Sequence, residues 1–273
     1  METLKLGSTG PMVELLKKSL KRLGFYSNSI TNVFDEETKN AVMEFQKKYE
    51  LIVDGIVGDS TWASLSPVIS GYTSYIIQEG DTLNSIAKKF FVNPNALLVA
   101  NPSIIPNSLR IAQRIYIPFE EIVPTNISYS YEILKLNIDS FLVLYPFLEI
   151  GYIGTSSRGA RIPFIRIGTG SKEVFYNGSF HANEWITSPL LMKYTENFCK
   201  AYVNGTDIFG YDPKEIFENV SIYIMPMVNP DGVNLVTGAL SEESGSYQSA
   251  KRISGHYPTI PFPDGWKANI QRN

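Results

Sequence analysis

The chain has a single cysteine, Cys199, and only two histidines, His181 and His256, in 273 residues. One cysteine excludes an internal disulfide, and its place in an amphipathic helical pattern predicts a buried structural thiol. No apolar run approaches the ~18–20 residues that a membrane-spanning helix needs. The N-terminus, Met1-Glu2-Thr3-Leu4-Lys5-Leu6-Gly7, has no basic start leading into an apolar stretch, so no secretory signal is read there and an export route is not visible. Positive charge is not in excess either. A net charge of -3 and a pI of about 5.6 leave no basic footprint for nucleic acid. Low-complexity segments are missing too. What remains is ordinary for a soluble globular protein, 44% hydrophobic and 19% charged, in a chain long enough for more than one domain.

The stretch of chemical interest is Phe175-Tyr-Asn-Gly-Ser-Phe-His181-Ala-Asn-Glu184-Trp185-Ile186. An apolar run from Val174 to Phe180 reads as a buried strand that delivers a His and a Glu three residues apart, followed by a helix from Trp185 or Ile186 to Val203 with Leu190, Leu191, Tyr194 and Phe198 inward. Val220 to Val228 reads as a central strand that ends in a tight turn, Asn229 to Gly232. In an α/β protein the residues at a strand's carboxyl end face a crevice at the sheet's edge. Imidazole and carboxylate are both good zinc ligands. A bare His-x-x-Glu is weak evidence, and standing alone it reads better as a polar loop capping the next helix.

Other residues change that balance. His181-Ala-Asn-Glu184-Trp185-Ile186, Asn229-Pro230-Asp231-Gly232, Ile153 to Ile162 (Ile-Gly-Thr-Ser-Ser-Arg-Gly-Ala-Arg-Ile) and Trp266-Lys267-Ala268-Asn269 together resemble the zinc carboxypeptidase family of metallopeptidases. Within it the chain is similar to bacterial endopeptidases that cut γ-D-glutamyl-diaminopimelate bonds in peptidoglycan stem peptides. The resemblance covers roughly residues 125–270 and implies an incomplete α/β domain over 125–273. It also implies one Zn²⁺ held by His181 and Glu184 with a second, later His. A separate late Glu would act as general base and acid, and an Arg beside the Trp266 motif would stabilise the oxyanion. Here the pattern departs. His256 precedes Trp266 in a segment (Ser244 to Pro263) rich in Gly, Ser and Pro, and reads as a loop residue rather than a ligand. Arg272, the candidate for the oxyanion role, is one position out of register, and the second His and catalytic Glu have no counterpart. The expectation is a family domain cut short.

Two smaller units precede it. In residues 1–68, Val13, Leu15, Leu16, Leu20 and Leu23 recur at helical spacing until Gly24, and a second helix is predicted from about Glu36 to Tyr49. Ser60 is a plausible N-cap for a last short helix opening with Trp62. Leu6-Gly7, Leu23-Gly-Phe-Tyr26, Thr38-x-x-Ala41-Val42-x-x-Phe45-Gln46 and Asp54-Gly-Ile-Val-Gly58 resemble the all-α peptidoglycan-binding domain of cell-wall hydrolases. A linker is read from Ser66 to Thr73. Over 74–119 the order is strand, helix, helix, strand, with Asp81 or Thr82 as the cap of a helix ending at Phe90. Gln78-x-Gly80-Asp81-Thr82-Leu83-x-x-Ile86-Ala87, Ala100-Asn101-Pro102 and Gln113-x-Ile115-x-Ile117-Pro118 resemble a βααβ LysM domain. The resemblance implies binding of N-acetylglucosamine polymers through Gly80, Asp81, Thr82 and Leu83, and through Ile104, Ile105, Pro106 and Leu109. Phe119 to Asn126 reads as a second linker.

The sequence therefore implies a multidomain protein directed to peptidoglycan glycan strands and stem peptides, in a cell wall or spore envelope. It is expected to be a zinc metallopeptidase by family, with no activity in this chain. The alternative is a non-catalytic peptidoglycan-binding or N-acetylglucosamine-binding protein with a remnant peptidase domain.

Overall fold

The computed structural model describes residues 1–119 and 121–270. Helix α1, Pro11–Arg22, starts on a proline whose missing N–H costs nothing in a first turn, and its apolar stripe buries Val13, Leu16 and Leu20 completely. Gly24 (φ 81°) then takes the left-handed turn that stops it. Helix α2, Glu36–Lys48, is capped by Asp35, whose carboxylate accepts from Thr38 N at 2.8 Å. Helix α3, Asp59–Ser70, departs from expectation at both ends. Gly58, not Ser60, is its N-cap, and the helix runs through Pro67 where a linker was expected. Val68 and Ile69 are buried against the unit's core, and that burial offsets the carbonyl clash of an internal proline.

Lys17 of α1 has its side chain fully buried, with Nζ donating to Thr31 Oγ1 (2.7 Å) and Asp35 Oδ2 (3.0 Å). Burial pushes the Asp35 carboxyl up, but the Thr38 hydroxyl and amide and then Lys17 push it down further, to about 2. A carboxyl lowered on folding stabilises the protein above its unfolded pKa of ~3.9 and loses that contribution as pH falls through the folded value. The stability of wild type over the Asp35→Asn variant, measured by urea denaturation, is expected to hold from neutral pH to about pH 4. It should then shrink towards pH 2. A constant difference across that range would contradict the pairing.

The second unit is a two-stranded antiparallel sheet with two helices. Strand β1, Tyr72–Ile76, pairs with β2, Arg114–Pro118, in the register Tyr72 opposite Pro118 to Ile76 opposite Arg114. Between them lie α4, Leu83–Phe90, and α5, Pro94–Val99. Thr82 is the cap of α4, in a reciprocal box with Ser85. Asp81 instead braces the turn before it, accepting from Gln78 N (2.7 Å) and Tyr75 OH (2.9 Å).

In the third unit, α6, Tyr131–Leu144, is capped by Ser130 and buries Leu134, Ile138 and Phe141. Strands β3, Glu149–Thr155, β4, Arg161–Ile167, and β5, Lys172–Asn177, follow. Next come a 3₁₀ turn at Ala182–Glu184, α7, Thr187–Asn204, α8, Pro213–Asn219, and β6, Val220–Met225. Helices α9, Pro230–Val236, and α10, Gly245–Ser254, complete the described chain. The sheet order is β3-β4-β6-β5, antiparallel except for the parallel pair β5–β6.

Four expectations for this unit need correction. Strand β5 is not buried: it has one neighbour, all six residues are exposed, and it ends at Asn177, short of Phe180. Leu190 points outward, while Met192, Phe198 and Cys199 form the inner face of α7. Asn229 to Gly232 is the first turn of α9 rather than a free turn. Half of the Gly/Ser/Pro-rich segment forms α10, because Ser244 caps it on Tyr247 N and Tyr247 and Ala250 supply a buried face.

One hydrophobic core runs through the first and third units and takes in Ala100 of the second, which otherwise keeps its own, while Leu235, Tyr247, Ala250 and Ile270 form a smaller cluster in the third. The stretch expected as a second linker is also held. Glu196, buried on α7, accepts from Ile122 N (2.8 Å) and Val123 N (3.4 Å) and pairs with Lys193 (3.0 Å) and Lys200 (2.9 Å). No helix among the described residues is long and apolar enough to cross a membrane.

Candidate metal centre

Parallel pairing of β5 with β6 puts the carboxyl ends of both strands on one edge of the sheet. Beyond β5 the backbone turns at Ser179 (φ 50°), a left-handed conformation in a non-glycine residue. Ser179 is held there from both sides: its amide donates to Thr187 Oγ1 (2.6 Å) and its hydroxyl lies 2.6 Å from that of Ser188. The 3₁₀ turn then sets His181 beside Glu184, with Nδ1 3.0 Å from Oε1 and both side chains 48% exposed. The hydrogen bond from His181 lowers the Glu184 carboxyl below its usual range.

The loop beyond β6 closes on the same edge. Asn229 Oδ1 accepts from Gly232 N (2.9 Å), and its amide reaches Ala268 O (3.2 Å). Ala182 N donates to Lys267 O (3.1 Å), so the Trp266-Lys-Ala-Asn segment is sewn to the turn that carries the pair. Gly232 has to be glycine, because a Cβ there would lie 2.7 Å from Ala182 Cβ and 2.9 Å from Ala268 O. Asp231 is buried and fully engaged, accepting from Ser156 Oγ (2.9 Å) and Arg158 N (3.1 Å). It is a brace for the turn after β3, a role the sequence reading did not assign it. Residues from four motifs far apart in sequence therefore meet at one place.

The pair fits half of a zinc site. Two donors each ~2.0–2.2 Å from one tetrahedral ion stand roughly 3.4 Å apart, close to what His181 and Glu184 present. Among the described residues, however, no group of three or more His, Cys, Asp or Glu is arranged to hold an ion, so His256 does not complete the pair. His256 follows α10 in an exposed turn. Arg272 lies outside the described residues. A cleft of about 940 Å³ opens elsewhere, between the first and third units, and neither His181 nor Glu184 lines it.

Residues 138–271 match the zinc carboxypeptidase family. The third unit is a zinc carboxypeptidase-family domain. Residues 9–65 match the peptidoglycan binding domain family and residues 75–118 the LysM domain family. The chain is thus a multidomain protein with a hydrolase-family domain at its carboxyl side. It is 40% identical over 144 residues to gamma-D-glutamyl-L-diamino acid endopeptidase 1 of Lysinibacillus sphaericus, covering 52% of this chain and 35% of that protein. It is 32% identical over 108 residues to carboxypeptidase B of Astacus astacus, covering 38% and 33%. Among solved structures it matches bovine thrombin-activatable fibrinolysis inhibitor, with 17% identity, a TM-score of 0.38 and coverage of 54% and 38%. The chain spans about a third of the length of these curated relatives.

In the LysM domain, the expected glycan contacts separate into two kinds. Gly80, Thr82, Ile105 and Pro106 are exposed, and Asp81, Leu83 and Leu109 half-buried. Ile104 is not available, because it sits in the domain's own core with Ile86, Leu97 and Ile115.

Proposed function

We propose that this chain holds peptidoglycan through its first two domains and presents to it a zinc carboxypeptidase-family domain of a kind that hydrolyses stem peptides. The observation that carries the reading is the meeting of His181, Glu184, the Asn229 turn and the Trp266 motif at one sheet edge, in a chain that also bears two wall-binding family signatures. The relative named gamma-D-glutamyl-L-diamino acid endopeptidase 1 supports a γ-D-glutamyl-diamino acid bond, for which we propose diaminopimelate as the diamino acid. The place of action is the cell wall or spore envelope.

His181 and Glu184 would hold the ion, and the Ser179 clamp and the Lys267 carbonyl fix the turn that carries them. When bound, zinc supplies a Lewis acid and a water acidified toward neutrality. For this 273-residue chain a second reading gains support from the two-donor site: it binds peptidoglycan without cutting it.

The first test is sedimentation with insoluble peptidoglycan. The protein is expected in the pellet, and residues 75–118 expressed alone are expected there too, since that domain has its own core. Finding both in the supernatant would overturn the wall-binding reading.

A further inference from the structure

The sheet edge that carries the His181–Glu184 pair also carries two cations, Arg158 and Lys267. Strand β3 is antiparallel to β4, and β4 to β6, so β3 runs parallel to β5 and β6 and ends on the same edge. The turn at 156–159 that follows it is folded on the Ser156 hydroxyl, which accepts from Ala160 N (3.0 Å). In that turn Arg158 N donates to Asp231 Oδ2 (3.1 Å), and the adjoining Gly232 packs against Ala182, next to His181. Lys267 reaches the same contact from its other side, because its carbonyl accepts from Ala182 N (3.1 Å). Both cations are thus tied by their backbones to the one contact, Gly232 on Ala182, that lies beside the pair.

The fold uses the Arg158 amide and the Lys267 carbonyl, and leaves both charged heads over. Both residues are exposed, and among the described residues no carboxylate pairs with either head. Nearby arginines are occupied: Arg161 lies over the Tyr152 ring (3.6 Å), and Arg166 pairs with Glu149 (3.0 Å). The two carboxylates of this edge are occupied as well. Asp231 accepts from Ser156 Oγ and Arg158 N, and Glu184 is hydrogen-bonded to His181. The Glu184 carboxyl is lowered first by that hydrogen bond and, more weakly, by the charge of Lys267, so the ammonium stands within electrostatic reach of the pair.

The geometry points to a cationic rim, Arg158 with Lys267, that selects the free α-carboxylate of a γ-linked glutamyl residue. A peptide bond made through the γ-carboxyl leaves the α-carboxylate of that residue free, and it is ionised at neutral pH. A short aliphatic stem separates this charge from the amide that would sit at the pair. The guanidinium offers a fork of N–H donors that matches a carboxylate, and the ammonium adds a point charge beside it. The rim rests on the stem-peptide reading of the third unit and deepens it by naming the group that is recognised.

The test is calorimetric binding of two peptides to the full chain. One is L-alanyl-γ-D-glutamyl-diaminopimelate, and the other is the same peptide with the glutamyl α-carboxylate amidated. Wild type is expected to bind the acid form roughly tenfold more tightly, the scale of a charge-assisted hydrogen bond. Arg158→Gln is expected to bring the acid form down to the affinity of the amidated peptide, whose own affinity stays unchanged. Lys267→Gln should remove a smaller part of the preference, and Arg158→Lys, which keeps the charge without the fork, should retain some of it. Neither side chain takes part in the hydrogen bonds that hold the turn, so the thermal midpoints are expected to match wild type. An Arg158→Gln variant that still prefers the acid form, or that loses affinity for both peptides alike, would overturn the rim and leave the stem-peptide reading standing. Equal binding of both peptides by wild type would do the same. No binding of either peptide by wild type would overturn both.

Discussion

Zinc-loaded protein of residues 1–273 is expected to release no diaminopimelate-bearing product from muropeptides. A catalytic zinc is held by three protein ligands with a fourth position open to water. The described residues bring together two, His181 and Glu184, and both are about half exposed, so water competes for the ion at every coordination site. Protonation of the leaving amine needs a positioned acid as well, a contribution of ~10²–10⁴ in rate. The carboxylates near the turn do not offer one. Asp231 is buried and occupied on both oxygens, by Ser156 and Arg158, and Glu184 is hydrogen-bonded to His181. The assay is chromatographic detection of product from a purified muropeptide. Turnover abolished both by chelator and by His181→Ala would refute this expectation and require a third donor from elsewhere in the chain.

Replacing Glu196 with Ala is expected to cost on the order of 3–5 kcal/mol, the penalty for breaking a buried ion pair from one side. Glu196 is fully buried, and its removal leaves the amides of Ile122 and Val123 without their acceptor and Lys200 without its partner, while Lys193 keeps Glu121 (3.1 Å). Burial alone would raise the Glu196 carboxyl, but Lys200, the Ile122 amide and Lys193 lower it further. A carboxyl depressed on folding stabilises above its unfolded pKa of ~4.3, so the cost of the substitution should be full at neutral pH and shrink as pH falls below about 4. Guanidinium denaturation at pH 7 and pH 3 checks both statements. A loss below about 1 kcal/mol at pH 7 would mean that the segment before α6 is not anchored through this residue.

The same residue marks a limit of sequence reading. Residues 119–126 look like a linker, because nothing in Phe119-Glu-Glu-Ile-Val-Pro-Thr-Asn announces a partner 70 residues away. Likewise Ser66 to Thr73, with its Pro67 and Gly71, reads as a break, although Val68 and Ile69 carry the helix through it. In both places a tertiary contact overrides local composition. Asp231 is the counterpart at the site. As part of an Asn-Pro-Asp-Gly motif it marks the right place, but only the fold shows it bracing the Ser156 turn rather than facing the His181–Glu184 pair. Leu190 and β5 fail for a related reason. Apolar residues predict burial only where another element arrives to cover them, and among the described residues nothing covers the free side of β5.

Local patterns by themselves determined the helices α1, α2, α4 and α7 and the strand β2, and they pointed to His181 and Glu184 as candidate ligands. Each is written in short-range terms: helical spacing, a cap, a turn glycine, two donors three residues apart. The structure alone decided that the pair meets at 3.0 Å, that Lys267 and Asn229 lock the turn beneath it, and that the first and third units share one core. These depend on which segments pack against which. That is settled by the burial and hydrogen bonding of the whole chain, and no local window of sequence contains it.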